Sequence, residues 1–162
     1  MGKRSREIVG LDVKELIRDL DKAYCDEWLA YYAWWYMAKT VDGKGYEDME
    51  EFLMGIAKDE LEHATELADR IVELGGLPTN IPTLLVKGSN GGYPGVMKTL
   101  SDYDEIIKIV TKAEAGAIDV YNKIANKTFG KDHDTYQLAV HILGEEIGHE
   151  EKFENLIGSK AK

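Results

Sequence analysis

The stretch DELEHATELADRIVELGG, residues 59–76, has the apolar periodicity of an amphipathic helix followed by a glycine stop. Its apolar residues recur at three- and four-residue steps, and Glu60 and His63 fall on the same stripe. Residues three apart share a helix face, so this Glu-x-x-His tetrad projects a carboxylate and an imidazole in the same direction. A second tetrad, Glu146 to His149, lies in the stretch HILGEEIGHE. Carboxylate and imidazole together suit a divalent first-row transition metal.

The composition indicates a single folded domain and excludes several classes of function. The chain has 162 residues, a hydrophobic fraction of 44% and a net charge of −10. These values predict one domain over residues 1–162 and argue against a general nucleic-acid binder. Cys25 is the only cysteine, which excludes an intrachain disulfide and favours a reducing cytoplasm. No signal peptide is visible, and the longest apolar run, residues 28–38, is shorter than the ~20 residues that span a bilayer. We therefore expect a soluble, cytoplasmic protein with no membrane partner.

Helical periodicity and turn residues divide the chain into four long helices. All three prolines fall within residues 75–100, a stretch too long for a tight turn. We interpret it as a crossover that lets the second and third helices run parallel, with a short helix near residues 81–86. Residues 1–10 form an N-terminal arm and residues 158–162 a C-terminal tail. The sequence thus predicts an all-α four-helix bundle, with helices over residues 12–40, 46–74, 102–129 and 132–157.

Each predicted helix carries one glutamate near the middle of its apolar stripe. The stripe of the fourth helix, for example, runs from Ala139 to Leu156 and includes Glu146 and His149. Four ionised carboxylates at one level of a low-dielectric core are prohibitively costly unless they are protonated or neutralised. Two divalent cations would supply the missing charge, and two neutral imidazoles would complete the ligand set. The candidate catalytic and metal-binding residues are therefore Glu27, Glu60, His63, Glu114, Glu146 and His149.

Other polar residues near these stripes are interpreted more simply. Tyr31 and Tyr121 lie one and two turns after the glutamates of the first and third helices, where core packing is favoured over a hydrogen bond to a ligand. His133 and His141 lie off the stripe of the fourth helix. We expect them at the surface or behind the ligands rather than as ligands.

The chain resembles the ferritin superfamily over nearly its whole length. The matching segments are DEWLAYYAWW around Glu27, KAEAGAI around Glu114 and the two tetrads. One glutamate from each of two helices, with Glu-x-x-His from each of the other two, is the pattern of di-iron and di-manganese bundles. The chain is most similar to the Dps-like branch, with a bacterioferritin-type metal site. The resemblance implies that Glu60 and Glu146 bridge two metal ions. It makes Glu27 and Glu114 terminal ligands and gives each metal one histidine.

Departures from the family narrow what the resemblance implies. Leu61 stands where bacterioferritins carry the haem-ligating methionine, so haem binding is not expected. Gly116 stands where Dps-like relatives often carry a cysteine, which speaks against a thiol-assisted redox step. Without a fifth helix, the resemblance favours a homo-oligomeric shell of 12 subunits over one of 24. On the first helix, a second stripe lies outside the core-facing stripe and is aromatic: Trp28, Tyr32 and Trp35. We favour a subunit interface at this stripe over cover from the crossover.

The function that these observations favour is that of a ferroxidase and iron-storage protein. The resemblance implies two iron ions per subunit, with manganese or zinc as substitutes, and oxidation of Fe(II) by hydrogen peroxide or dioxygen. Two alternatives remain open: a manganese catalase-like peroxide dismutase, and a DNA-protecting or metal-buffering shell without turnover. Basic residues near the two ends of the sequence are few (Lys3, Arg4 and Arg6, with Lys160 and Lys162), so DNA binding is not expected.

Overall fold

The structure is a computed structural model that describes residues 3–158, and helices are its only regular secondary structure over that range. The predicted C-terminal tail, apart from Gly158, lies outside the described residues. None of the described helices is long and apolar enough to cross a membrane. The elements, in chain order, are α1 (Lys3–Glu7), α2 (Val13–Thr40), α3 (Tyr46–Glu73), a 3₁₀ turn (Pro82–Leu84), α4 (Leu85–Gly88), α5 (Tyr103–Thr128) and α6 (His133–Ile157).

Local capping hydrogen bonds and turn residues determine where the long helices begin. The side chains of Asp12, Asp102 and Asp132 accept hydrogen bonds from backbone amides in the first turns of α2, α5 and α6, which are amides without a partner inside the helix. Helix α3 begins differently, after a turn in which Gly43 and Gly45 have φ angles of 97° and 83°. Glycine adopts this left-handed conformation without steric cost, so the chain reverses sharply between α2 and α3.

Helices α2 and α3 form one antiparallel hairpin, and α5 and α6 form a second. The two hairpins bury two apolar clusters, one around Trp34 and Phe153 and the other around Leu16 and Tyr121. On every long helix, the candidate ligands lie between the residues of these clusters. The predicted four-helix bundle with a crossover between its second and third helices is therefore confirmed. The layer of the bundle that contains the candidate ligands is enclosed by one apolar cluster above it and the other below it.

The crossover between α3 and α5 is tied to α2 by two aspartates. Asp21 accepts hydrogen bonds from the amide and hydroxyl of Thr79, at 2.7 and 2.8 Å. Asp26 accepts from the side-chain amide of Asn90 at 2.6 Å and from the backbone amide of Gly91 at 3.0 Å. The Asp21 bonds hold the start of the crossover against α2, and the Asp26 bonds hold its second half beside the candidate ligand Glu27.

Three details differ from the sequence-based expectations. The predicted N-terminal arm contains the short helix α1, and Ser5 donates a hydrogen bond to the last residue of α3, Glu73. The short crossover helix starts later than predicted and continues to Gly88. Leu156 was expected in the core but is 51% exposed. The physical reason is that a straight helix with 3.6 residues per turn drifts by about 20° per heptad, which carries an extended stripe off the seam.

Candidate metal centre

The structure brings all six candidate ligands together in the middle of the bundle. Each is at most 3% exposed. They form two overlapping groups, and within each group one potential ligand atom per residue lies within 4.8 Å of all the others. Glu60 and Glu146 belong to both groups, so they occupy the shared position between two metal sites. The first group adds Glu27 and His63, and the second adds Glu114 and His149.

Each histidine is oriented by a carboxylate from the opposite hairpin. His63 Nε2 lies 2.7 Å from Glu145 of α6, and His149 Nε2 lies 3.1 Å from Asp59 of α3. An ionised carboxylate can only accept, so both Nε2 atoms must be donors. The free electron pair of each neutral ring then lies on Nδ1, which faces the cluster: His63 Nδ1 is 3.1 Å from Glu146 Oε1. Carboxylates that fix the tautomer and orientation of a histidine in this way are typical of metal sites.

Two further side chains contact the glutamates from within the core. Trp34 Nε1 donates to Glu60 Oε1 at 3.1 Å. The Tyr121 hydroxyl donates to Glu27 Oε1, so the interpretation of Tyr121 as simple core packing was incomplete. The first contact lies within the α2–α3 hairpin, and the second joins α5 to α2 across the two hairpins. Periodicity places Trp34 and Tyr121 on the stripe but gives no signal for their partners.

Burial and crowding perturb the protonation of the cluster. Burial raises the pKa of Glu60 well above its usual range, and the nearby carboxylates of Glu146 and Glu27 raise it further. The pKa of Glu114 is raised in the same way, by burial and then by Glu60. Burial would also raise the pKa of Glu146, but the nearby Glu114 carboxyl group and the His149 and His63 imidazoles outweigh it and hold that pKa below its usual value. In the metal-free centre, protons therefore provide part of the positive charge that cations would otherwise supply.

The pKa of His63 fits the same account. Burial alone would lower it, but the surrounding carboxylates of Glu146, Glu27 and Glu60 raise it above its usual value. A protonated His63 cannot ligate through Nδ1. Metal binding must therefore displace protons from the imidazole and from the carboxyl groups.

The donor set fits two divalent cations. Several buried atoms in the cluster have no hydrogen-bond partner: Nδ1 of both histidines, Oε1 of Glu114 and both carboxylate oxygens of Glu146. Buried polar atoms are normally satisfied, and a cluster of unpartnered carboxylate and imidazole atoms around two overlapping positions has the chemistry of a cation-binding site. Carboxylate and imidazole are ligands that iron, manganese and zinc accept. The residues present can therefore hold two such ions.

A cavity of about 420 Å³ extends from the cluster to the surface between α2 and α5. Its inner part is bounded by the four glutamates and by Trp34 and Tyr121. Its outer part is bounded by the crossover at residues 90–94 and by Lys112. The centre is thus buried but not sealed.

The remaining candidates lie away from the two ligand groups. His133 is exposed at the start of α6, and His141 is exposed, with its Nε2 3.6 Å from Glu145. Burial raises the pKa of the Cys25 thiol to about 11, so the thiol is neutral. The thiol faces the crossover, where a Cβ atom on Gly88 would lie 3.0 Å from its sulfur.

Comparison with known proteins relates both the sequence and the fold to described families. A family model described as "Ferritin-like domain" matches residues 17–161. The "DNA protection during starvation protein" of Pyrococcus furiosus is 36% identical over 160 residues, which cover 98% of this chain and 85% of that protein. The bacterioferritin-related protein of Bacteroides fragilis, described as a dodecameric thioferritin, has a TM-score of 0.92 at 35% identity, with 99% of this chain and 95% of that chain covered. The Dps protein of Vibrio cholerae O1 has a TM-score of 0.82 over 90% of both chains, and its 14% identity shows a common fold alone.

Proposed function

The chain belongs to the ferritin-like domain family, and from this premise we propose that it is a ferroxidase that oxidises Fe(II) and stores the product as an Fe(III) mineral. The observation that carries the proposal is the pair of overlapping four-residue groups that share Glu60 and Glu146. Two metal positions with common carboxylates allow two Fe(II) substrate ions to react together rather than one at a time. A single buried glutamate or an isolated tetrad would not support this chemistry.

The proposed reaction needs one electron from each of two Fe(II) ions. Together with two protons, the two electrons break the O–O bond of one hydrogen peroxide molecule and yield two Fe(III) ions and two water molecules. The paired transfer avoids the one-electron route that releases a hydroxyl radical. Glu60 and Glu146 would bridge the ions, and Glu27 and Glu114 would each hold one ion. His63 and His149 would bind through Nδ1, because their Nε2 atoms are held by Glu145 and Asp59.

We further propose that the chain assembles into a homo-oligomeric shell of twelve subunits, which would enclose the mineral. The support is the Bacteroides fragilis protein, described as dodecameric, which matches 99% of this chain. On α2, Tyr32 is 53% exposed and Trp35 is 38% exposed. The crossover covers this stripe only in part, through a ring contact between Tyr93 and Tyr32. Light scattering should report about 218 kDa for twelve chains of 18.2 kDa. We assign the protein to the cytoplasm on the basis of its single cysteine.

The decisive experiment is stopped-flow oxidation of Fe(II) by the assembled protein, under hydrogen peroxide and separately under dioxygen. We expect a first phase that consumes two Fe(II) per chain, one for each metal position. Glu60→Ala and Glu146→Ala should each abolish this phase. Glu62→Ala, which truncates an exposed glutamate on the same helix as Glu60, should keep it. A wild-type rate in either bridging variant would refute the proposal. Consumption of peroxide without Fe(II) would instead identify a catalase.

DNA protection is a second candidate because the Pyrococcus furiosus relative carries that name. The net charge of −10 opposes it. Two of the few basic side chains near the N-terminus, Lys3 and Arg4, lie within 3.5 Å of Glu7 and are partly neutralised by it. A gel shift that weakens with salt, and that is lost when residues 1–10 are removed, would favour the DNA reading. If no gel shift is seen, the ferroxidase function is the only one of the two candidates that remains.

A further inference from the structure

The cavity between α2 and α5 is larger than the oxidants considered so far require. Its volume is about 420 Å³, whereas a water molecule occupies about 30 Å³ in the liquid, and hydrogen peroxide has only one oxygen atom more. Sites of roughly 300–1,000 Å³ with predominantly apolar walls are typical of organic ligands. The excess volume is therefore a feature that the oxidation of Fe(II) by hydrogen peroxide does not explain.

Small side chains on the facing sides of α2 and α5 create the cavity. Ala30 of α2 lies opposite Ala113 and Ala117 of α5, and Val120 and Ile109 extend the apolar wall. Larger residues at the alanine positions would close the gap between the two helices. The cavity ends at the buried carboxylates, where oxygens of Glu114 and Glu146 have no hydrogen-bond partner. An apolar group can thus occupy the wall region while a polar group attached to it reaches the metal positions.

The mouth of the cavity does not suit Fe(II). Asp26 is the carboxylate that lines the mouth beside the crossover, and its oxygens already accept hydrogen bonds from Asn90 and Gly91. The exposed Lys112 contributes a positive charge on the opposite side. A hydrated dication gains little at such an entrance, whereas an uncharged molecule with an apolar body loses little there.

We propose that this cavity binds organic hydroperoxides that carry a compact alkyl or aryl group, and that these serve as oxidants at the same centre. The proposal rests on the proposed ferroxidase function. Two Fe(II) ions, one ROOH molecule and two protons yield two Fe(III) ions, the alcohol ROH and water. The O–O bond breaks, the two irons supply the two electrons, and each oxygen takes up one proton. Ala30, Ala113 and Ala117 select the oxidant by leaving room for the R group.

The test compares cumene hydroperoxide with hydrogen peroxide in stopped-flow Fe(II) oxidation by the assembled protein. We expect protein-dependent oxidation with both, and 2-phenyl-2-propanol as the product of the organic peroxide. Free iron would instead cleave the peroxide in one-electron steps and yield acetophenone. Ala117→Leu should lower the ratio of the cumene hydroperoxide rate to the hydrogen peroxide rate by about tenfold or more, because it fills the space for the aryl group. The product should shift towards acetophenone.

Ala115→Leu is the matched control, since Ala115 is exposed on α5 and does not line the cavity. A binding measurement adds a readout independent of turnover. In ligand-observed NMR with metal-free protein, 2-phenyl-2-propanol should bind to the wild type and to Ala115→Leu but not to Ala117→Leu. Three results would overturn this inference and leave the ferroxidase proposal standing. The first is turnover with hydrogen peroxide while cumene hydroperoxide reacts only at its protein-free rate. The others are an unchanged rate ratio in Ala117→Leu and no binding of 2-phenyl-2-propanol to the wild type. Failure with both oxidants would overturn the ferroxidase proposal itself.

Discussion

At the scale of single residues, the carboxylates behind the histidines are as informative as the proposed ligands. Asp59 and Glu145 each precede a glutamate that the two ligand groups share, Glu60 or Glu146, and each reaches the histidine of the other hairpin. The sequence shows both acidic pairs, Asp-Glu and Glu-Glu, but periodicity does not reveal which histidine each contacts. The six candidate ligands could be found because each lies on the apolar stripe of its own helix. Their supporting carboxylates could not, because they depend on how α3 and α6 pack.

We expect Asp59→Ala and Glu145→Ala to weaken metal binding by about 10–100-fold, the usual effect of removing a group that orients a ligating histidine. Cobalt(II) titration, monitored by visible absorption and competition with zinc, would measure it. Asp59→Asn should recover part of the affinity, because the amide oxygen can still accept from His149. The exposed Glu62→Ala is the control on α3. An affinity in Asp59→Ala equal to that of the control would contradict the orienting role.

At the scale of elements, a buried ion pair joins the end of α3 to the start of α6. Asp132 caps α6 and also accepts two hydrogen bonds from Arg70 of α3, at 2.8 and 2.9 Å. Arg70 is 4% exposed and Asp132 is 3% exposed. The helix start at Asp132 was predictable from the local sequence. The partnership with Arg70 was not, because the two residues are brought together by the docking of two hairpins.

Asp132→Ala should therefore destabilise the protein by about 3–5 kcal/mol, since it leaves the Arg70 guanidinium buried without its main partner. Asp12→Ala removes a cap of the same type from α2, where the hydrogen bonds are exposed. It should cost only about 0.5–2 kcal/mol. Chemical denaturation of both variants would measure the difference. Equal losses would mean that Arg70 finds sufficient compensation in Glu73, which lies 2.9 Å away.

At the scale of the whole molecule, the ionisable groups of the centre make the stability of the fold depend on pH and on bound metal. Glu60 and Glu114 have raised pKa values in the folded protein, so their stabilising contribution is complete below the unfolded pKa of 4.5 and is lost as the pH rises towards the folded pKa. His63 acts in the same direction above its unfolded pKa of 6.5. Divalent metal reverses the trend, because it binds the deprotonated ligands.

We accordingly expect chelator-treated protein to lose stability between pH 5 and 8, by roughly 1.4 kcal/mol per pH unit for each extra proton that the folded state holds. Protein saturated with zinc should become more stable over the same range. Thermal denaturation with and without metal would measure both slopes. In the metal-free protein, Glu60→Gln should reduce the dependence of stability on pH. This variant would distinguish the effect of the centre from general charge repulsion. A metal-free protein that is more stable at pH 8 than at pH 5 would exclude this coupling.

The fold itself was largely predictable, because four strongly periodic segments, three of them with aspartate caps, and the glycine or proline stops between them leave few alternatives. The observed helices α2, α3, α5 and α6 match the predicted ranges to within a residue at most ends. The 420 Å³ cavity was not predictable, because it depends on the separation of α2 and α5 and on the path of the crossover. A sequence pattern records which residues face inward but not the space left between them.

The exchange of histidine partners between the hairpins has a consequence for protein synthesis. Ribosomes deliver the α2–α3 hairpin first, and it carries only Glu27, Glu60 and His63 of the ligand set. At that stage His63 lacks Glu145, and the shared Glu146 is missing. Neither complete group exists until α6 has emerged and docked. A nascent chain therefore cannot present both proposed metal positions before α6 has been synthesised and has docked on the first hairpin.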